Sequence, residues 1–328
     1  MTEPDQPARS TQADLERVIF GEEARLNAVE VARLSGADLA LTRRLWRALG
    51  FPELQGEMLF TEADAAAVST LVQLVDSGVV DADAALNMTR AVGQTMARLA
   101  DWETATVVPA LAAHADDTER SRIDLTVDLL EQLGKPFESL LIYAWRRHLA
   151  AALARAETLV GDQDEASTTE VTVGFADLVA FTALSNEMDE EGLGDLVEVF
   201  ESRVHDVIAA NHGRAIKSLG DSVLFINDDP VRALDTADGI IEVIGRDGRL
   251  PDVRVGLASG AVVMRLGDVF GPPVNLAARL TTVARRNRVI IDETTAKMLP
   301  ASKFETRRLP GRPLRGFGIV EPVTVRRH

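Results

Sequence analysis

The sequence predicts an all-α domain followed by an α+β domain, and three observations carry that division. Through residues 12–157 apolar residues recur at helical spacing between capping signals. A polar stretch almost without apolar residues, "GDQDEASTTE" (161–170), follows. Beyond it, short strand-like runs alternate with helical ones, the pattern of a sheet with helices packed on one face. The expected boundaries are a disordered N-terminus over 1–11, a helical domain over 12–157, a linker over 158–170 and a sheet domain over 171–328.

The elements are justified in order. The first ten residues are polar and hold two prolines, which disfavours packed structure. "TEADAAAVSTLVQLVDSG" (61–78) has Thr61 as N-cap, Asp64 three residues on, an apolar face, and Gly78 as a stop. "DTERSRIDLTVDLLEQLGKP" (117–136) repeats the grammar, with Gly134 and Pro136 expected to close the helix. "FESLLIYAWRRHLAAALARAE" (137–157) reads as one further amphipathic helix. In the second half "VTVGFADL" is strand-like and "EGLGDLVEVFESRVHDVIAAN" helical. "AIKSLGDSVLFI" alternates about a Gly-Asp pair, as a hairpin does. A helix over "PVRALDTADGIIEVIG", a second strand pair over "VRVGLASGAVVMRLGDVFG" and a helix over "VNLAARLTTVARR" come next. The chain closes with a strand "RVIID", a short helix "ETTAKML", and two late strands around "RPLRGFG".

Composition narrows the function. With 328 residues, 46% hydrophobic and 26% charged, the chain has room for two globular domains. A net charge of −16 repels nucleic acid and anionic membrane as bulk partners. It still admits an anionic nucleotide whose charge is carried by metal ions. The absence of cysteine excludes disulfides and thiolate metal sites. No apolar run approaches the roughly 18 residues of a membrane span, and the N-terminus has no leader-like apolar core, so a cytoplasmic location is expected.

Few polar residues stand where chemistry would need them. Asp177 ends an apolar strand in "FADLVAFT", and Asp221 sits at the hairpin turn. Alone, each is an ordinary turn or cap residue. Together at one end of adjacent strands they suit Mg²⁺, a hard cation that keeps positions for water and phosphate. Loop amides after Asp177 would suit phosphates. In "GDVFGPPVNLAARL" the prolines place the helix start near Val274, so Asn275 and Arg279 fall at i and i+4 on one face. Such a pair either orients a hydroxyl and clamps a phosphoryl oxygen or is plain helix surface. Asp268, before Phe270 and Gly271, reads by itself as a strand-end turn residue.

Over 171–326 these segments resemble, in order and spacing, the class III nucleotidyl cyclase catalytic domain, a ferredoxin-like α+β fold. The resemblance implies that Asp177, Asp221 and the carbonyl of Leu178 hold two Mg²⁺ or Mn²⁺ ions per site. It implies that Phe181 and Thr182 lie at the triphosphate, that Lys217 and Asp268 read the adenine edge, and that Asn275 orients the ribose. Arg279 would stabilise the transition state. Arg315 in "LRGFG" is similar to a late basic residue near the triphosphate, or is a surface arginine beside a glycine turn. The implied reaction closes ATP to 3′,5′-cyclic AMP and pyrophosphate at a homodimer interface with two composite sites. Lys217 and Asp221 would then share a hairpin yet serve different sites. A guanylyl cyclase would carry Glu and Cys or similar at positions 217 and 268, and the acidic signature of diguanylate cyclases after two glycines is missing.

Residues 12–157 resemble the helical regulatory domain of some actinobacterial cyclases, including pH-responsive mycobacterial ones. "VEVARLSGADLALTRRLWRALGFP" is also similar to a MerR-type helix-turn-helix, with Arg43, Arg44 and Arg47 on its second helix, but its acidic surroundings favour a protein-contact or ligand-sensing module over DNA binding. His148 in the last helix is either a pH sensor or an exposed helix residue, and a lipid is the other stimulus considered. A non-catalytic nucleotide sensor and a DNA-binding regulator are the competing readings.

Overall fold

The computed structural model describes residues 12–52, 60–115, 122–159, 168–265 and 267–328, so the N-terminus over 1–11 and linker residues 160–167 lie outside the described residues. The chain forms two compact units, 1–163 and 164–328.

The first unit is helical: α1 (Gln12–Phe20), α2 (Ala28–Ser35), α3 (Leu39–Ala48), α4 (Glu62–Asp76), α5 (Ala82–Ala115) and α6 (Arg122–Leu159). Its core joins Val31, Leu45, Phe60, Ala65 and Val68, with the Trp46 ring edge-on to Phe60 at 4.5 Å. The expected capping box at Thr61 and Asp64 is present, and Gly78 follows α4 with φ +72°. One expectation fails here. Gly134 and Pro136 do not close a helix, because α6 runs through both. Pro136 and Gln132 face solvent, so water can take the carbonyl that proline leaves unpaired.

In the second unit, β1 (Thr168–Leu178) lies between two other strands and starts within the expected linker. Then come α7 (Phe181–Ser185), α8 (Glu190–Ala210), β2 (Arg214–Ser218), β3 (Ser222–Asn227), α9 (Pro230–Arg246), β4 (Val253–Arg265), β5 (Asp268–Phe270) and α10 (Pro272–Val283). The remainder is β6 (Val289–Ile291), α11 (Glu293–Met298), β7 (Phe304–Arg308), β8 (Arg312–Leu314), β9 (Gly318–Val320) and β10 (Val323–Arg327). The sheet order is β2-β3-β1-β4-β6-β10-β7, with β5 folded back onto β4 and β8-β9 a separate ribbon. The β4–β6 pair is parallel and the other pairs are antiparallel.

Helices cover both faces of this sheet, not one. Ala176, Leu178, Val223, Phe225, Val255 and Leu257 pack with Phe200 of α8 and Ile240 of α9. Val171, Val173, Leu224 and Ile226 pack with Ala277 and Leu280 of α10 on the other side. Both residue parities of β1 and β3 are apolar, so each face needs a cover. Gly256 lets α10 come close: a Cβ there would lie 2.4 Å from the Thr281 amide nitrogen. α10 begins at Pro272 rather than near Val274, because both prolines fit the first turn, where amide hydrogens lack partners anyway.

Candidate active site

The strand register builds the site around Asp177. Its cross-strand neighbours are Ser222 on β3 and Arg254 on β4. The Ser222 hydroxyl donates to Asp177 Oδ1 at 2.5 Å, and Arg254 Nε donates to Oδ2 at 2.7 Å. Arg254 also reaches the Thr282 carbonyl on α10, so this guanidinium ties the strand end to the helix. Asp221 occupies the β2–β3 turn behind Gly220, whose φ of +69° shapes the reversal. The Leu178 amide donates to the Asp221 carbonyl at 2.9 Å, which locks the hairpin to the end of β1. Burial, and then the Asp177 charge, push the Asp221 carboxyl above its ordinary pKa, against the pull of its own backbone amide and Arg254.

Two mutually repelling carboxylates beside the Leu178 backbone form a hard-oxygen donor set, which fits divalent cations. Among the described residues no group of three or more His, Cys, Asp or Glu gathers into a fuller cage. Two carboxylates would therefore leave positions open for a triphosphate. After Val179, Ala180 turns with φ +59° into α7, and no side chain caps the first-turn amides of Phe181 and Thr182. Such uncapped amides suit an anion.

The remaining positions form two further groups. Lys217 Nζ meets Asp268 Oδ2 at 2.5 Å, and the Val269 amide donates to Oδ1. Burial pushes the Asp268 carboxyl up, but Lys217 and that amide outweigh it and hold the group below its ordinary pKa. Asn275 and Arg279 lie on the exposed side of α10, opposite Ala277 and Leu280. Among the described residues neither side chain has a hydrogen-bond or ion-pair partner. The structure thus joins Asp177, Leu178 and Asp221, and separately Lys217 and Asp268, without linking these groups by any hydrogen bond. Arg315 projects at the tip of the β8–β9 ribbon, outside these groups, and His148 is exposed on α6 in the other unit. Sequence reasoning missed Arg254 and Ser222. Arg254 had a signal: it is the lone charge in the apolar run "VRVGLASGAVV".

Comparison with known proteins gives the family of each unit. The adenylate and guanylate cyclase catalytic domain family model matches residues 164–324. The adenylate cyclase regulatory domain model matches residues 6–149. An adenylate cyclase of Streptomyces coelicolor is 37% identical over 94% of this chain and 87% of its own length. One from Streptomyces griseus is 35% identical over the same shares. A pH-sensitive adenylate cyclase of Mycobacterium tuberculosis is 30% identical over 92% of this chain and 78% of its own.

Proposed function

The chain belongs to the class III adenylate cyclases with an N-terminal regulatory domain, and from that premise we propose how its residues make cyclic AMP. The substrate is ATP, and the products are 3′,5′-cyclic AMP and pyrophosphate. The observation that carries the reading is the convergence of Asp177, Asp221 and the Leu178 backbone at one end of the sheet.

Two Mg²⁺ or Mn²⁺ ions held there would supply Lewis acidity to the ribose 3′-hydroxyl and the triphosphate. The protein's own part is orientation and charge. Phe181 and Thr182 present amides to the phosphates. Ser222 fixes one oxygen of Asp177, and Arg254 neutralises the other. Lys217 donates to adenine N1 and Asp268 accepts from N6. Asn275 holds the ribose for in-line attack, and Arg279 meets the charge on the α-phosphoryl oxygens. Because Asn275 and Arg279 lie on an exposed helix side with no partner among the described residues, they are read as hydrogen-bond donors to a substrate held at the metal pair of a second copy, which gives a homodimer two equivalent sites.

The helical unit is the regulator. A cavity of about 80 Å³ lined by Leu41, Arg44, Leu71 and Val72 lies within it. Either pH or a lipid is the stimulus of this unit.

The test is formation of cyclic AMP from ATP by the full chain with Mg²⁺ or Mn²⁺, against Asp177→Asn. Activity lost in the variant supports the reading, and a wild-type chain inert with both metals overturns it.

A further inference from the structure

A row of side chains at the Asp177 end of the sheet finishes in an arginine without a partner among the described residues. β1 pairs Asp177 with Ser222 of β3 and with Arg254 of β4. β4 and β6 run parallel with Val255 beside Val289, which sets Arg288, the residue before β6, beside Arg254. The Val255 amide donates to the Arg288 carbonyl at 3.1 Å, in keeping with that register. Strand residues two apart share a face. Gly256 and Ile290 both lie toward α10, so Arg254 and Arg288 do as well. The row therefore runs Ser222, Asp177, Arg254, Arg288, and Arg288 stands two strand spacings, about 10 Å, from Asp177.

The two arginines differ in their surroundings. Arg254 is engaged by Asp177 and the Thr282 carbonyl. Arg288 is exposed, and among the described residues its side chain has no hydrogen-bond or ion-pair partner. Its backbone is held all the same. Asn287, with φ +55°, donates from its side chain to Asp252 at 2.5 Å and accepts from the Val253 amide at 3.2 Å. The Asp252 carbonyl in turn accepts from the Val179 amide at 2.7 Å, one residue past Leu178. A guanidinium on an anchored backbone is placed for an anion, in a chain whose net charge of −16 repels anions elsewhere.

We propose that Arg288 binds the two outer phosphates of ATP, which leave together as pyrophosphate. The inference rests on the cyclase reading and deepens it. Lys217 is paired with Asp268, Arg254 with Asp177, and Arg279 is assigned to the α-phosphoryl oxygens, so the outer phosphates have no guanidinium of their own. The planar fork of Arg288 can take two oxygens of one phosphate or one from each. The contact exists with substrate and product alike, so its loss raises KM rather than lowering kcat.

The test compares the full chain with Arg288→Ala, Arg288→Lys and Arg285→Ala. Arg285 is an exposed arginine of the same turn, also without a partner among the described residues. Pyrophosphate binding is measured by calorimetry with Mg²⁺, and KM and kcat by cyclic AMP formation. Arg288→Ala should weaken pyrophosphate binding about tenfold and raise KM for ATP to match, with kcat within about twofold, the scale of one charge-assisted hydrogen bond. Arg288→Lys keeps the charge and loses the fork, so it should fall between, while Arg285→Ala stays within about twofold of wild type. Exposed as Arg288 is, each variant should keep the wild-type Tm. No pyrophosphate binding by the wild type, unchanged affinity in Arg288→Ala, an equal loss in Arg285→Ala, or a loss confined to kcat overturns the proposal. A chain that binds pyrophosphate through Arg288 but makes no cyclic AMP keeps this contact and removes the cyclase reading. An active chain whose pyrophosphate affinity ignores Arg288 does the reverse.

Discussion

Asp221 is held at odds with its surroundings, and that conflict predicts opposite effects on stability and activity. Its folded pKa lies above the unfolded value, so the ionised form costs the fold stability at neutral pH. The cost is relieved as pH falls through the raised pKa. A divalent cation relieves it too, but only while the group is ionised, so metal affinity should decline as pH approaches that value from above. Asp221→Asn keeps the shape and removes the charge. In EDTA near pH 7 its Tm should rise, while Mn²⁺ binding by calorimetry disappears and the cyclase rate falls at least about 10²-fold, the scale of losing one transition-state stabiliser. A lower Tm in EDTA would count against the carboxylate conflict. The Lys217–Asp268 ion pair makes a second prediction, since donor and acceptor already stand together. Lys217→Glu with Asp268→Cys should lower kcat/KM for ATP far more than it weakens metal-triphosphate binding. Retained preference for ATP over GTP would show that other residues read the purine.

At the scale of elements, α10 links fold to site. Its inner side touches β4 where Gly256 stands, its end is tied to Arg254, and its outer side carries Asn275 and Arg279. Gly256→Ala would drive a Cβ to 2.4 Å from the Thr281 amide nitrogen and 2.5 Å from the Ala277 carbonyl oxygen. Both are backbone atoms of the helix, so no side chain can yield. Overpacking costs about 1–3 kcal/mol, and the upper end is expected here, with a lower Tm and loss of cyclase activity together. A wild-type melting curve would mean that α10 slides freely on the sheet. The same helix shows what the sequence revealed. That Asn275 and Arg279 share one side of a helix was legible from proline position and i,i+4 spacing, both local properties. The hairpin of Lys217 and Asp221 and the cap at Thr61 were legible for the same reason. The partnership of Asp177 with Arg254 was not, because it depends on the register of two strands 77 residues apart. Nor was the second helical cover, since the apolar runs of β1 and β3 read as strands without revealing that both their faces are buried. Pro136 misled through a local rule that solvent exposure outweighs.

For the whole molecule the proposed dimer makes two claims. Asp177→Ala and Arg279→Ala should each be nearly inactive, since every site in either homodimer lacks one side. Hybrids formed on mixing carry one site damaged twice and one intact. With random pairing about a quarter of wild-type sites return, and no recovery despite demonstrated subunit exchange would refute sharing between copies. The second claim concerns regulation. Catalysis requires its groups to be placed within about an ångström, so in the proposed dimer an equilibrium between open and closed arrangements would set the rate. A helical unit joined through α6 can bias that equilibrium, and an effector acts by preferring one state. Deleting residues 1–157 should therefore change specific activity at least several-fold, upward if the unit inhibits. His148 is an exposed residue of α6. His148→Ala should flatten the dependence of cyclic AMP formation on pH between about pH 5.5 and 8. Cyclic AMP production by full-length, deleted and His148→Ala chains across that range, with dimer content measured at each pH, decides the matter. Three identical profiles would reduce the helical unit to a passive scaffold, and a flat deletion profile beside an unchanged His148→Ala profile would move the sensor to another residue of that unit.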